Sequence, residues 1–323
     1  MPDEAHNPAI SVVIPVYQAR ECLDELYRRL VVALEKITAN FELVLVEDGG
    51  GDGSWEKLEA FAANDSRVKA IKLSRNFGQH FAITAGLDNV SGDWVVVMDC
   101  DLQDQPEEIG KLHRKAVEGF DIVFARRQVR QDSLYRRLSS KLFSLIYNYL
   151  GDIKVDNSIA NFSISSSKVI SYVRQFRERN RSFPIFLNSV GFKRCYVDVD
   201  HAPRFAGESS YSLIRLFDFA IQCIVTQSNK PLKISIRFGL SLACLSLLYG
   251  IVTVIRYLHA EISVPGWTTV VVLVSFLGGL GFANLGILGL YLGKVFDEVK
   301  GRPLYCVEQT SNLVIRSESK PKA

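Results

Sequence analysis

Neither sign of charge dominates this 323-residue chain: 38 lysines and arginines stand against 35 aspartates and glutamates, a formal excess of three. So small an excess excludes nucleic-acid binding by bulk electrostatics. Cysteine pairing is lacking too. The six cysteines (Cys22, Cys100, Cys195, Cys223, Cys244, Cys306) are scattered, with no C-x-x-C pair and no histidine at metal-ligand spacing. They read as free thiols in a reducing compartment. The first residues, "MPDEAHNPAISVVIPVY", carry acids and a proline where a signal peptide has basic residues and a long apolar core. The soluble part is therefore expected to stay in the cytoplasm. Neither G-x-x-x-x-G-K-[ST] nor G-x-G-x-x-G occurs, which excludes the Walker loop and the dinucleotide fingerprint.

Charge is missing altogether from two long runs near the C-terminus. From Phe238 to Ile255, "FGLSLACLSLLYGIVTVI" has 18 uncharged residues, as a helix roughly 27 Å and close to a bilayer core. Residues Ile262 to Gly293 hold no charge either, and "TTVVVLVSFLGGLGFANLGILGLYL" is long enough to cross with tilt. The alternative is a buried helical hairpin of a soluble protein. Lys230, Lys233 and Arg237 precede the first run, and Lys294, Lys300 and Arg302 follow the second. The connection holds only Arg256, His259 and Glu261. By the positive-inside rule this predicts a multi-pass protein of the plasma (inner) membrane with both ends cytoplasmic. The glycines Gly278, Gly279, Gly281, Gly286, Gly289 and Gly293 permit close packing within the hairpin or in a homo-oligomer.

Ahead of the first run, Tyr211 to Ser228 is mostly apolar with Arg215 and Asp218 as its only charges. It reads as an interfacial amphipathic helix or as a core helix of the soluble part. The tail after Gly301 turns polar, ends "RSESKPKA" and is expected to be disordered. The expected organisation is a cytoplasmic domain (1–205), an interfacial segment (206–233), a transmembrane hairpin (234–300) and a cytoplasmic tail (301–323).

In the first hundred residues strands alternate with helices. "ISVVIPVY" (10–17), "FELVLVE" (41–47), "RVKAIKLS" (67–74) and "DWVVVMD" (93–99) read as strands, while 21–38 and "GQHFAITAGLDNV" show helical spacing. This rhythm predicts an α/β fold with a mostly parallel sheet covered on both faces. Ligands of such sheets sit at the carboxyl ends of strands, where Tyr17, Asp48 and Asp99 all fall.

Asp99 and Asp101 stand two apart where a buried strand ends. A hard divalent cation carrying phosphates takes one or two carboxylates, and Gln103 adds a neutral oxygen; the bland reading is a solvated loop. Asp48 and Asp52 flank Gly49, Gly50 and Gly51, a loop able to approach a ligand by its backbone or simply a tight turn. Asp104, Glu107 and Glu108 read as loop charge and the acidic first turn of a helix begun by Pro106.

In order, "SVVIPVY", "VEDGGGDGS", "RNFGQHFAITAGLD", "GDWVVVMDCDLQDQPEE", "RFAGESSYS" and "YLGKVFDEVKGRPLY" resemble the family 2 glycosyltransferases that charge a polyprenyl phosphate with a sugar. The resemblance is to the dolichyl- or undecaprenyl-phosphate type, especially its bacterial branch with two C-terminal helices. It spans Ile10 to about Val307 and implies a Rossmann-like, glycosyltransferase A type domain binding a nucleotide sugar. It also implies Mg2+ or Mn2+ as cofactor and a polyprenyl phosphate as partner. Carried onto this chain, Pro15, Tyr17, Asp48 and Asp99 become nucleotide contacts, and Asp99, Asp101 and Gln103 the metal and diphosphate site. Arg126 in "FARR" and Arg204 become the arginines that meet the acceptor phosphate.

Three departures qualify the match. Gln18 and Ala19 replace an Asn-Glu pair after the tyrosine, Gly50 stands where a serine is usual, and "SIANFSI" puts Asn161 where relatives have the aspartate of Gly-Asp-Phe. Asparagine cannot act as a general base, and Asp156 is close in sequence but off the motif. A phosphate monoester, with a second pKa of about 6, needs no base to become a nucleophile. The departure thus favours a phosphate acceptor over a sugar hydroxyl. The expected activity is inverting transfer of one hexose, with UDP-glucose or another UDP-hexose as donor by family weight. A processive polysaccharide synthase is the alternative within enzymes, but none of Trp55, Trp94 and Trp267 follows an arginine as Q-x-x-R-W requires. A non-catalytic nucleotide-sugar-binding membrane protein is the alternative outside them.

Overall fold

A computed structural model of the chain describes residues 8–127, 159–200, 230–259 and 266–313. It divides into two compact units, one formed by residues 1–131, 156–209 and 302–323 and the other by 132–155 and 210–301.

In the first unit the strand runs fold as expected. Ile10–Val16 (β1), Phe41–Glu47 (β2), Val68–Leu73 (β3) and Trp94–Val97 (β4) are joined through helices Leu23–Glu35 (α1), Ser54–Asn64 (α2) and Gln79–Asp88 (α3). Every residue of β1 and β2 is buried, because helices cover both faces, so these strands read as continuous apolar runs. Alternate residues of β1 feed opposite layers: Val12 and Ile14 pack with Leu26 and Leu30 of α1, whereas Val13 packs with Ala82 and Ile83 of α3. Gly86 lets α3 lie close, since a Cβ there would fall 2.3 Å from Val13 Cγ1.

β1 pairs in parallel with β2 and β4, and β2 with β3. Antiparallel pairing takes over at the flanks. Ile159–Ser166 (β6) runs antiparallel to β4 and to Ile122–Arg127 (β5), while Arg194–Val199 (β7) runs parallel to β5. With Val307–Ser311 (β8) antiparallel to β3, the result is an eight-stranded mixed sheet in the order β7-β5-β6-β4-β1-β2-β3-β8.

Pro106–Glu108 forms a short 3-10 turn leading into Ile109–Val117 (α4), so the helix does begin at the proline. Its acids divide differently from the expectation. Glu107 is exposed and pairs with Arg29 (2.9 Å to Nε), but Asp104 and Glu108 are buried, Asp104 to 1% exposure. Glu108 keeps its expected place in the first turn, whereas Asp104 is not open loop charge. Ser167–Val173 (α5), capped by Ser166 Oγ accepting from Val169 N, and Phe183–Ser189 (α6) cover the face shared with α3.

The tail also departs from expectation. Residues after Gly301 return to the sheet as β8, in register Ala70↔Ser311 and Ile71↔Thr310. Lys72 Nζ lies 3.3 Å from Glu308 Oε2, and Tyr305 OH donates to Asp88 Oδ2 at 2.8 Å. Tyr305, Val307 and Leu313 pack on the α3 side of the core, which orders a segment too polar to read as a strand.

The second unit contains Lys230–Leu258 (α7) and Trp267–Val299 (α8), helices over both uncharged runs. Ser235 Oγ hydrogen-bonds Asn284 Oδ1 between them. Among the described residues one stretch, Phe276–Val299, is long and apolar enough to cross a membrane by length and composition. The expected interfacial helix, Asp156 and Arg204 lie outside the described residues.

Candidate active site

The crevice opens where β1 parts from β4. Their ladder ends at Val13↔Val97 and the Met98 N–H donates to Val13 O at 3.2 Å, while β1 continues beside β2 as far as Val16↔Glu47. Pro15, buried two residues beyond Val13, has no N–H to extend the β4 ladder. The chain order reverses here, from β1 outward to β3 and then back to β4, which is the switch point where α/β sheets take ligands. Tyr17, about half exposed, follows β1 and Asp99 follows β4. Gln18 (φ 47°) and Leu102 (φ 60°) sit in left-handed backbone that disfavours side chains, on the loops after these two strands.

Asp99 Oδ1 accepts from Gln79 Nε2 at 2.7 Å and from Asn161 Nδ2 at 3.1 Å. Antiparallel register brings Asn161 there: β6 pairs Ser163 with Val97, so two residues on Asn161 meets Asp99. Gln79 comes from the first residue of α3. Asp101 Oδ1 accepts from the Gln103 N–H at 3.1 Å, closing a tight turn over the buried Leu102. Between them the Cys100 carbonyl accepts from Cys22 Sγ at 3.1 Å. Among the described residues no three or more His, Cys, Asp or Glu side chains gather into a metal-binding group.

Asp48 is buried, and its carboxylate accepts the Phe77 and Gly78 N–H groups at 2.7 and 2.8 Å. Burial raises its pKa above the ordinary carboxylate value even though both N–H bonds pull downward. Gly49 (φ +65°) lets the two loops interlock: a Cβ there would stand 2.4 Å from Arg75 C and Asn76 N. Asp48 therefore anchors the loop that delivers Gln79 to Asp99.

Sequence reasoning missed Gln79 as a partner of Asp99, and also Glu47. Glu47 Oε1 accepts from the Gly50 N–H at 2.5 Å, while its buried Oε2 has no hydrogen-bond partner among the described residues. The signal available was its position beside Asp48 at a strand end. His80, next to Gln79, is a packed neutral imidazole: burial, then the nearby Arg181 charge, lowers its pKa to about 4. Arg126 is engaged by Asp198, which the sequence did not single out; Nε and Nη2 donate at 2.6 and 3.2 Å. Arg204 lies outside the described residues.

Carboxylates steadied by amides at the switch point of an α/β sheet mark the crevice where such a fold takes its ligand. The model of the family "Glycosyl transferase family 2" matches residues 11–172, from β1 into α5. The chain belongs to that family and is a glycosyltransferase. It is 34% identical over 305 residues to an uncharacterised glycosyltransferase of Synechocystis sp., covering 94% of this chain and 96% of the relative. It is 36% identical to the undecaprenyl-phosphate 4-deoxy-4-formamido-L-arabinose transferase of Pseudomonas syringae (96% and 92% covered). The protein of that name from Salmonella choleraesuis is 35% identical (99% and 97% covered). The solved S. aureus TarS with UDP-GlcNAc is only loosely alike, with a TM-score of 0.46 and 17% identity over 68% of this chain and 66% of that one.

Proposed function

We propose that this glycosyltransferase moves a single sugar, with inversion and with a divalent cation, from a nucleotide sugar to undecaprenyl phosphate or another polyprenyl phosphate at the cytoplasmic membrane face. The observation that carries the reading is the Asp99 carboxylate, steadied by Gln79 and Asn161 at the mouth of the crevice. Relatives named as undecaprenyl-phosphate transferases over nearly the whole chain support the acceptor.

Asp99, Asp101 and Gln103 would hold Mg2+ or Mn2+; their oxygens are hard donors, and the nearby Cys22 thiol is turned to a backbone carbonyl. Such an ion neutralises a leaving diphosphate. Asn161 donates rather than accepts, so it orients Asp99 and takes no proton. The acceptor phosphate brings its own nucleophilic oxygen, mostly dianionic at neutral pH. Arg126 and Arg204 hold that phosphate in line with the anomeric carbon. A bond forms from the phosphate oxygen to that carbon as the bond to the nucleoside diphosphate breaks, and no proton moves. Pro15, Tyr17 and Asp48 form the nucleotide side of the crevice.

Two membrane helices, within 234–300, hold the domain where the acceptor tail lies, with both termini cytoplasmic. The uncharged runs under α7 and α8 support this. The donor proposed is a UDP-linked sugar, with glucose and a 4-amino-arabinose derivative as the first two to compare. The test is purified protein in detergent with Mg2+ or Mn2+, undecaprenyl phosphate and a panel of nucleotide sugars. Formation of a lipid-linked monosaccharide is expected; polymer, or nucleotide binding without product from any donor, overturns the reading.

A further inference from the structure

Arg126 and Asp198 are adjacent in the parallel pairing of β5 and β7, near the carboxyl ends of both strands. The guanidinium meets the carboxylate two-on-two, through Nε to Oδ1 at 2.6 Å and Nη2 to Oδ2 at 3.2 Å. A guanidinium receives two oxygens of a phosphate in this same geometry. Both side chains are 47% exposed, so water reaches the pair and exchange for another anion is cheap. Register does not depend on it. The ladder runs from Ile122↔Arg194 onward, and Val123, Phe124 and Val199 are buried along it. The Arg126 hydrogen bond holds the Asp198 carboxyl below its ordinary range, so the partner is ionised at neutral pH.

We propose that Asp198 is a resident stand-in for the acceptor phosphate, filling the guanidinium fork of Arg126 and yielding it to a phosphate monoester. This rests on Arg126 receiving the acceptor, as argued above. It adds selectivity to that contact. A dianionic monoester binds a guanidinium more strongly than a carboxylate does, whereas a singly charged phosphodiester has little advantage over it. Asp198 thereby keeps weaker anions out of a site that must not trap them.

The test measures KM for undecaprenyl phosphate and inhibition by dimethyl phosphate, using full-length protein in detergent. Asp198→Asn is expected to lower the KM about two- to fivefold, the change falling on KM rather than kcat, and to strengthen dimethyl phosphate inhibition. An unchanged KM makes the pair merely structural, and a raised KM makes Asp198 a holder of Arg126; either overturns the proposal. Asp198→Ala repeats the measurement if a thermal melt shows that the asparagine variant is misfolded. Arg126→Ala tests the underlying reading separately. A raised acceptor KM there leaves Arg126 as the phosphate contact whatever Asp198 does, and an unchanged one removes both.

Discussion

Asn161 Nδ2 donates to Asp99 Oδ1 at 3.1 Å, and the Gln79 amide reaches the same oxygen at 2.7 Å. Two amides on one oxygen fix the carboxylate's orientation without adding charge beside it. An aspartate at 161 would instead set two like charges in contact.

Replacing Asn161 with leucine removes one of these donors and leaves the other. A fall in kcat/KM of about 10- to 100-fold is expected, as for loss of a group that orients a metal-site ligand. Gln79→Leu should act similarly. Since the two share an oxygen, the double variant should depart from the product of the single effects. Steady-state kinetics on the three variants measures this.

Asp48→Ala leaves the Phe77 and Gly78 N–H groups without their charged acceptor in a buried site. The expected loss is about 2–3 kcal/mol of stability. Asp48→Asn, which keeps one acceptor oxygen, should lose less. Denaturant unfolding compared with wild type checks both.

Asp65 gives a pH-dependent contribution. Arg67 hydrogen bonds hold its carboxyl at about 2, against an ordinary value of 3.8, and Tyr27 OH donates to it at 2.9 Å. A depressed carboxylate stabilises the fold above its unfolded pKa and loses that effect as pH falls through the folded value. The stability difference between wild type and Asp65→Asn should therefore be constant at and above neutral pH. It should shrink as pH drops from about 4 to about 2. A gap that widened over that window would contradict the assignment.

Ending the chain at Gly301 deletes β8 and the Tyr305 bond to Asp88. The truncated protein should have a lower melting temperature and a greater tendency to aggregate, because β3 becomes an unprotected edge. Tyr305→Phe alone should cost about 1 kcal/mol. Thermal melts with light scattering separate the two effects.

The parallel half of the sheet was legible because β1, β2 and β4 are buried almost throughout, and β2 and β4 run into acids. The flanks were not. β7, "RCYVDV", leaves much of its surface open, and the serines of β6, Ser163 and Ser165, are buried, so neither strand shows a clean apolar face. Asp104 illustrates a second gap: an acid in a loop reads as solvated, and only the three-dimensional fold buries it. The D-x-D pair and Arg126 could be named from motifs. Their partners, Asn161 and Asp198, lie 62 and 72 residues away along the chain and meet them only through strand register. Local pattern carries no record of that pairing.

Asp99 is proposed to serve transfer of a sugar to a lipid phosphate. The most direct test is formation of lipid-linked sugar by purified Asp99→Asn protein beside wild type, in detergent with Mg2+ or Mn2+ and undecaprenyl phosphate. Product is expected from wild type, with a loss of at least about 100-fold in the variant and its melting temperature retained. Equal product from both, or nucleotide binding without product from either, would contradict it.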